Sequence, residues 1–188
     1  MGFKFKVLNV VLFQAGWFAA VLFAAAGLPA LGFAYSLIWL GGHLLYIARH
    51  DSAGAAAEMR LIGAAAVMGA LADSTLVLTG VMAFPPHTQF GTPTTLWMVG
   101  MWMNFAGTLA HSMGWLRRRY LVGLLMGAVF GPAAYYTGTR LNALEFTDPN
   151  ALWLIGIEWA LCLPLLLWMQ TYFMPGKTSG VPSAGAVS

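Results

Sequence analysis

Residues 61–82 read LIGAAAVMGALADSTLVLTGVM, a continuous apolar stretch with one carboxylic acid, Asp73, inside it. A stretch of about 20 apolar residues is long enough to cross roughly 30 Å of hydrocarbon as an α-helix. Further stretches of similar length occupy most of the remaining chain, at about 7–26, 29–48, 96–116, 120–138 and 151–173. The sequence therefore predicts an all-α membrane protein, with six transmembrane helices forming one domain over residues 1–174.

The composition excludes a soluble domain. Of the 188 residues, 60% are hydrophobic and only 8% are charged, whereas soluble domains carry about 25% charged residues. The formal net charge of +3 comes from residues between the apolar stretches, so no nucleic-acid partner is predicted. The last residues, 175–188, are mostly Gly, Ser, Pro and Ala. Because such a segment has too little apolar surface to fold, it is expected to be a disordered cytoplasmic tail.

The distribution of Lys and Arg predicts the orientation in the membrane. If the chain crosses the membrane six times, eight basic residues lie on the same side of the membrane, namely Lys4, Lys6, Arg49, Arg60, Arg117, Arg118, Arg119 and Lys177. Only Arg140 falls on the other side. Since loops rich in Lys and Arg stay in the cytoplasm, both termini are expected to be cytoplasmic.

Polar side chains inside the predicted helices fall into two layers. At a rise of ~1.5 Å per residue, the lower layer lies roughly 9–12 Å from the cytoplasmic boundary and the upper layer roughly 20 Å from it. The lower layer contains Gln14, His43 and His111, and the upper layer contains Asp73, Asn104 and Glu158. We therefore expect a polar column inside the bundle, and these residues are the candidate site.

Two interpretations of this column remain open at the sequence level. A charged group at the bilayer centre costs on the order of 2.5–3.5 kcal/mol, so such residues often mark functional sites. In the functional interpretation Asp73 and His111 are the catalytic, acid–base candidates, and the other four residues bind or orient the substrate. In the structural interpretation all six only hydrogen-bond the helices to one another.

Sequence motifs give little support for a cofactor. His43 and His111, at one depth on separate helices, are a pair that could ligate a b-type haem if their helices face each other. There is no His-x-x-His box set and no Glu-x-x-His pair, and no metal site is predicted. The remaining acidic residues near these histidines, Asp51 and Glu58, are assigned to an inner loop from Arg49 to Arg60.

Glycine spacing predicts where helices approach closely. In the fifth helix Gly123, Gly127 and Gly131 recur every four residues, which places them on one face. A ridge of this kind lets another helix backbone come near. In the third helix Asp73 continues a small-residue face that includes Gly69, so its side chain is expected to point toward protein and away from lipid.

An ordered set of residues resembles a known family pattern. The matching residues are Asn9 with Phe13-Gln14-x-Gly16-Trp17, Gly69 with Asp73-Ser74, Leu96-Trp97-Met98, Trp102-x-x-Phe105-x-x-Thr108-Leu109-x-His111-Ser112-x-x-Trp115-Leu116, and Gly127-Ala128-x-x-Gly131-Pro132-x-x-Tyr135-x-x-Gly138. The set resembles a domain-of-unknown-function family of small six-helix bacterial inner-membrane proteins. The resemblance supplies no catalytic residues. It implies an inner-membrane location and, because the family's genes often neighbour cyclopropane-fatty-acid-synthase-like genes, a role with membrane lipids.

The leading hypothesis is therefore a protein of membrane-lipid modification or handling, either an enzyme or an accessory subunit. Its expected partners are membrane lipids and lipid-modifying enzymes, and the sequence does not predict an oligomeric state. A small proton-coupled transporter is the alternative, suggested by the acids Asp73 and Glu158 at one level. A structural membrane subunit without chemistry of its own is the third hypothesis.

Overall fold

The computed structural model describes residues 2–174, and the expected tail at 175–188 lies outside the described residues. The described chain forms six α-helices: α1 Phe3–Ala25, α2 Pro29–Ala48, α3 Ser52–Leu78, α4 Leu96–Leu109, α5 Tyr120–Arg140 and α6 Ala151–Phe173. Short 3₁₀ turns occupy Pro86–Thr88 and Gly114–Leu116. Two short strands, β1 Met82–Ala83 and β2 Glu145–Phe146, complete the secondary structure.

The helices are those of a membrane protein. Within the described residues, five helices are long and apolar enough to cross a membrane, namely α1, α2, α3, α5 and α6. Large apolar side chains such as Ile38, Leu71 and Leu161 are exposed on their outer faces, as expected for surfaces in contact with lipid. The all-α membrane class predicted from the sequence is thus confirmed.

The shortest helix, α4, lies at the centre of the bundle. It has 14 residues, which corresponds to about 21 Å. It packs against α1, α2, α3 and α6, while α5 packs mainly against α6. Most of its side chains are buried, including Trp97, Trp102 and Asn104. The Thr108 hydroxyl bonds to the Phe105 carbonyl oxygen within α4, whereas Trp102 and Asn104 reach partners on neighbouring helices.

Contacts at the two ends of the bundle join separate connections. At one end β1 pairs with β2 in antiparallel fashion, with Met82 opposite Phe146, so the α3–α4 and α5–α6 connections lie together. At the other end the Arg117 guanidinium donates a hydrogen bond to the carbonyl oxygen of Met174, just beyond α6. These two links fix the α5–α6 pair against the rest of the bundle.

Glycines permit the two tightest helix contacts of the candidate region. A Cβ atom at Gly127 would lie 2.2 Å from the Trp159 carbonyl oxygen of α6, which confirms the close approach predicted for the fifth helix. A Cβ at Gly69 would lie 2.0 Å from Cγ of Trp102. The indole of Trp102 therefore packs directly on the backbone of α3.

Several helix boundaries differ from the sequence-based expectation, and two of them, the start of α3 and the end of α4, differ by more than four residues. Helix α3 begins at Ser52, because the Asp51 carboxylate accepts a hydrogen bond from the Gly54 backbone N–H at 2.8 Å and caps the helix. Glu58 therefore lies inside α3 and not in an inner loop. Helix α4 ends at Leu109 and not at 116, so His111 lies in the turn that follows the helix.

The α5–α6 contact can be tested by substitution. Gly127→Ala is expected to lower the free energy of unfolding by about 1–3 kcal/mol, the usual cost of overpacking, because the new methyl group would meet backbone that cannot rotate away. Thermal unfolding of the purified protein in detergent would measure the change.

Gly63→Ala in α3 is the matched control. Among the described residues outside its own helix, nothing lies within 4 Å of the added Cβ, so this variant should keep or slightly raise the stability. Equal effects of the two substitutions would contradict the close contact.

Candidate functional site

A buried carboxylate joins two imidazoles near the end of the bundle where the chain enters α1. Glu58 Oε1 lies 2.6 Å from His43 Nε2, and Glu58 Oε2 lies 2.9 Å from His111 Nε2. Glu58 is fully buried, and His43 and His111 are 4% and 8% exposed. We call these three residues the Glu58 cluster. It links α2, α3 and the turn after α4.

Local sequence explains why these side chains converge. The buried face of α3 recurs every three or four residues, through Ala55, Glu58, Ile62 and Ala65, so Glu58 points into the bundle. On the other side, the end of α4 turns back on itself, and the His111 and Met113 backbone N–H groups both donate to the Thr108 carbonyl oxygen. This turn directs the His111 imidazole toward α3.

Aromatic rings enclose the Glu58 cluster. Phe5 of α1 lies 5.9 Å from the His43 ring and 5.1 Å from the His111 ring, measured between centroids. Trp39 lies 5.0 Å from the His43 ring. Because these rings exclude water, the interactions between the charged or polar groups of the cluster are stronger than they would be in solvent.

The donor set of the Glu58 cluster can hold a metal ion, although the sequence predicted no metal site. One ligand atom from each of the three residues lies within 4.8 Å of the other two.

The same cluster does not fit a haem between the histidines. Their ring centroids are 4.9 Å apart in an edge-to-face arrangement, with the Glu58 carboxylate bound to both Nε2 atoms, so a porphyrin cannot lie between them.

Asp73 belongs to a second, separate cluster. Its carboxylate is fully buried and accepts a hydrogen bond from Trp102 Nε1 at 2.9 Å and another from the Tyr135 hydroxyl. This Asp73 cluster links α3, α4 and α5. Its three residues share no hydrogen bond with the Glu58 cluster, so the structure places the acid–base candidates Asp73 and His111 in different clusters.

Asn104 forms a third polar contact, between α1, α2 and α4. Its side-chain oxygen accepts a hydrogen bond from Trp39 Nε1 at 2.8 Å, and its nitrogen donates to the Phe13 carbonyl oxygen at 3.0 Å. Gly16 leaves the space for this amide, because a Cβ there would lie 2.7 Å from Asn104 Nδ2. The Asn104 amide oxygen, its amide nitrogen and the Trp39 indole N–H therefore all have hydrogen-bond partners within the protein.

The remaining two candidates have no hydrogen-bond partner among residues 2–174. Gln14 on α1 is exposed, and its side chain lines a cavity. The two carboxyl oxygens of Glu158 on α6 are buried, yet neither has a hydrogen-bond partner among the described residues. Glu158 therefore joins neither cluster through a hydrogen bond.

An apolar cavity of about 530 Å³ lies between the α1–α4 side and the α5–α6 side of the bundle. Its wall is built mainly of aromatic, methionine and small side chains, among them Phe13, Trp17, Phe18, Met98, Met101, Trp102, Phe105, Met126, Phe130, Ala134, Tyr135 and Trp159. The rings of Trp102 and Trp159 stack at 4.3 Å between centroids and form part of this wall. The polar ends of Trp102 and Tyr135 reach Asp73 behind it.

Sequence reasoning missed three residues that organise these clusters. Glu58 was assigned to a loop, although Asp51 as a helix cap and the spacing of the following apolar residues indicate a helix that includes it. Trp102 and Tyr135 appear in the sequence analysis only as residues of the family pattern. A buried indole N–H or phenol O–H usually has a hydrogen-bond partner. The presence of these two donors could therefore have identified Trp102 and Tyr135 as partners of Asp73.

The Asp73 cluster gives a testable prediction on stability. Tyr135→Phe removes one donor and leaves a buried carboxylate oxygen unpaired, so the free energy of unfolding should fall by about 1–3 kcal/mol. Tyr136→Phe is the control, since that neighbouring ring is exposed and its hydroxyl makes no hydrogen bond to the described residues. Thermal unfolding in detergent should separate the two variants, and identical midpoints would contradict the assigned bond.

Comparison with known proteins identifies the family. No curated protein matches the chain, and no solved structure matches it. A family model described as "Protein of unknown function (DUF2878)" matches residues 6–165, which is most of the chain and includes both clusters and the cavity wall. The predicted membership of a domain-of-unknown-function family is thereby confirmed, and the chain belongs to this family.

Proposed function

We propose that this protein binds an acyl chain of a membrane lipid in the cavity and acts in the modification or handling of lipids of the bacterial inner membrane. The observation that carries the proposal is the apolar cavity of about 530 Å³. This volume lies in the range of about 300–1,000 Å³ that is usual for ligand sites. Among residues 2–174, no residue that lines the cavity is Asp, Glu, Lys, Arg or His, which favours a hydrocarbon ligand.

The position of the cavity favours entry from the bilayer. Phe18 of α1 and Phe130 of α5 line the cavity and are also among the exposed large apolar side chains. Exposed phenylalanines on membrane-spanning helices face lipid, so the cavity opens on the side where acyl chains are available. A chain can enter here without crossing water.

The polar groups of the wall favour binding over acid–base chemistry in the cavity. The Tyr135 hydroxyl and the Trp102 indole N–H are both engaged by Asp73, so Asp73 acts as a positioning residue. The Gln14 amide is free to contact an ester or head group at the mouth. This arrangement supports an accessory role, in which the bound lipid is presented to a lipid-modifying enzyme.

For the membrane topology we propose six crossings, with both termini in the cytoplasm. The basic residues Lys4, Lys6 and Arg117 lie at the end of the bundle opposite the β1–β2 pair, consistent with the positive-inside rule. Helix α4 is shorter than a usual span. We propose that the turn after it, in which His111 and Leu116 are buried in protein, completes the crossing.

Cysteine accessibility tests this topology in a Cys162→Ser background. With six crossings, Leu28→Cys and Glu145→Cys should react with a membrane-impermeant maleimide in intact spheroplasts, whereas His50→Cys should react only after lysis. The reagent reaches Glu145→Cys from outside only if α4 crosses the membrane. Protection of Glu145→Cys together with labelling of Leu28→Cys would therefore reject the sixth crossing.

Filling the cavity tests the proposed lipid binding. Ala134→Phe places a ring in the wall and should weaken binding of a fluorescent fatty acid by about 10-fold or more, equivalent to about 1.4 kcal/mol. The same variant should fail to restore the lipid profile of a deletion strain. Val129→Phe is the matched control, because Val129 is exposed on the same helix and does not line the cavity.

The two measurements have separate consequences. If both variants bind the fatty acid as the unmodified protein does, the cavity is not the lipid site. If Ala134→Phe loses binding but restores the lipid profile fully, the protein binds lipid without a role in lipid modification.

Proton-coupled transport is the second candidate, and Glu158 is the observation that favours it. Its buried carboxyl group has no described partner, so it can take up or release a proton without breaking a hydrogen bond to residues 2–174. Pro132 lies inside α5 and Pro164 inside α6, and helices interrupted by proline are a feature of transporter folds. Proton-dependent flux in proteoliposomes that is lost in Glu158→Gln and kept in Glu145→Gln would favour this candidate.

A further inference from the structure

We propose that His43, Glu58 and His111 bind one divalent first-row transition-metal ion. The ligands would be Nε2 of each histidine and the carboxylate of Glu58. This site is separate from the cavity, and the inference does not depend on lipid binding.

The geometry requires little movement to admit an ion. Two ligands bound tetrahedrally at about 2.0–2.1 Å from a zinc ion lie about 3.3 Å from each other. In the structure the Nε2 atoms of His43 and His111 lie 2.6 and 2.9 Å from the nearest carboxylate oxygens of Glu58. All three ligand atoms lie within 4.8 Å of one another. The two histidine–carboxylate separations therefore have to widen by less than about one ångström, and the largest separation has to shrink by at most about 1.5 Å, for the three atoms to bind one ion.

The donor types and their burial agree with this assignment. Two imidazoles and one carboxylate form a set used by catalytic zinc sites and by non-haem iron sites. The three side chains come from different elements, so the backbone fixes them independently. Glu58 is fully buried, and a buried carboxylate needs a cation or strong donors as its partner.

The surroundings favour an open coordination position over a closed structural site. The Glu58 cluster supplies three ligands, while a tetrahedral ion takes four. Phe5 and Trp39 contact the imidazoles with their rings and offer no metal-ligating oxygen or sulfur. Among the described residues no further His, Cys, Asp or Glu joins this group, so the fourth position is left to water or to a small exogenous ligand, as in catalytic zinc sites.

Metal titration of the purified, full-length protein tests the proposal. After treatment with a chelator, the protein in detergent is mixed with Zn²⁺ or Co²⁺ alone and desalted. The unmodified protein should retain one equivalent and should show a higher thermal midpoint with metal, because an ion that binds only the folded state stabilises it. Glu58→Gln and His111→Ala should each weaken binding by more than about 10-fold, since even outer-shell substitutions cost 10–100-fold.

Two histidines outside the cluster provide matched controls. His50→Ala, at the exposed end of α2, and His87→Ala, in the α3–α4 connection, should retain one equivalent. Pulsed EPR of the unmodified protein with bound Cu²⁺ should detect two coordinated imidazoles, and this measurement does not depend on whether a variant folds.

Several results would overturn the proposal. Failure of the unmodified protein to retain metal would do so, as would retention that Glu58→Gln and His111→Ala leave unchanged. Loss of metal in His87→Ala, or a Cu²⁺ spectrum without two imidazole nitrogens, would assign any binding to another site. In each of these cases the Glu58 cluster would serve only to hydrogen-bond α2 and α3 to the turn after α4.

Discussion

Leaving a polar group unpaired in a bilayer is costly, and in this bundle the hydrogen bonds that avoid this cost fix the neighbours of α4. Asn104 in the middle of α4 is paired with α1 and α2. Trp102 is paired with Asp73 of α3, and the Leu109 carbonyl oxygen at the end of α4 accepts a hydrogen bond from Gln170 of α6 at 2.6 Å. Apolar packing alone would leave the rotation of α4 free, whereas these bonds specify one rotation and one depth.

The sequence predicted depth better than it predicted partners. Counting residues along helices placed His43 and His111 at one level, and their rings are in fact 4.9 Å apart. The same counting placed Asp73 and Asn104 at one level, but they bond to different neighbours. Depth depends only on the helical rise, whereas partnership depends on helix rotation and on which helices are adjacent. Helix rotation and helix adjacency cannot be obtained by counting residues along the sequence.

The burial of Glu58 could not be predicted from the sequence, for a different physical reason. A segment between Arg49 and Arg60 with two acids satisfies the usual description of a loop, because charged residues mark the ends of spans. Glu58 instead continues the buried face of α3 and is compensated by two imidazoles from other elements. Its burial is acceptable only in the presence of His43 and His111, so hydropathy alone could not reveal it. The helix cap at Asp51 was the local signal.

The absence of a side chain at Gly69 has a consequence for how this region can vary. The indole of Trp102 occupies the space where a Cβ of residue 69 would be, and its N–H reaches Asp73 one turn further along α3. Position 69 can therefore acquire a larger residue only if position 102 loses its indole, and the carboxyl group at 73 then loses a donor. Substitutions at these three positions are therefore expected to be energetically coupled, because residue 102 contacts the other two.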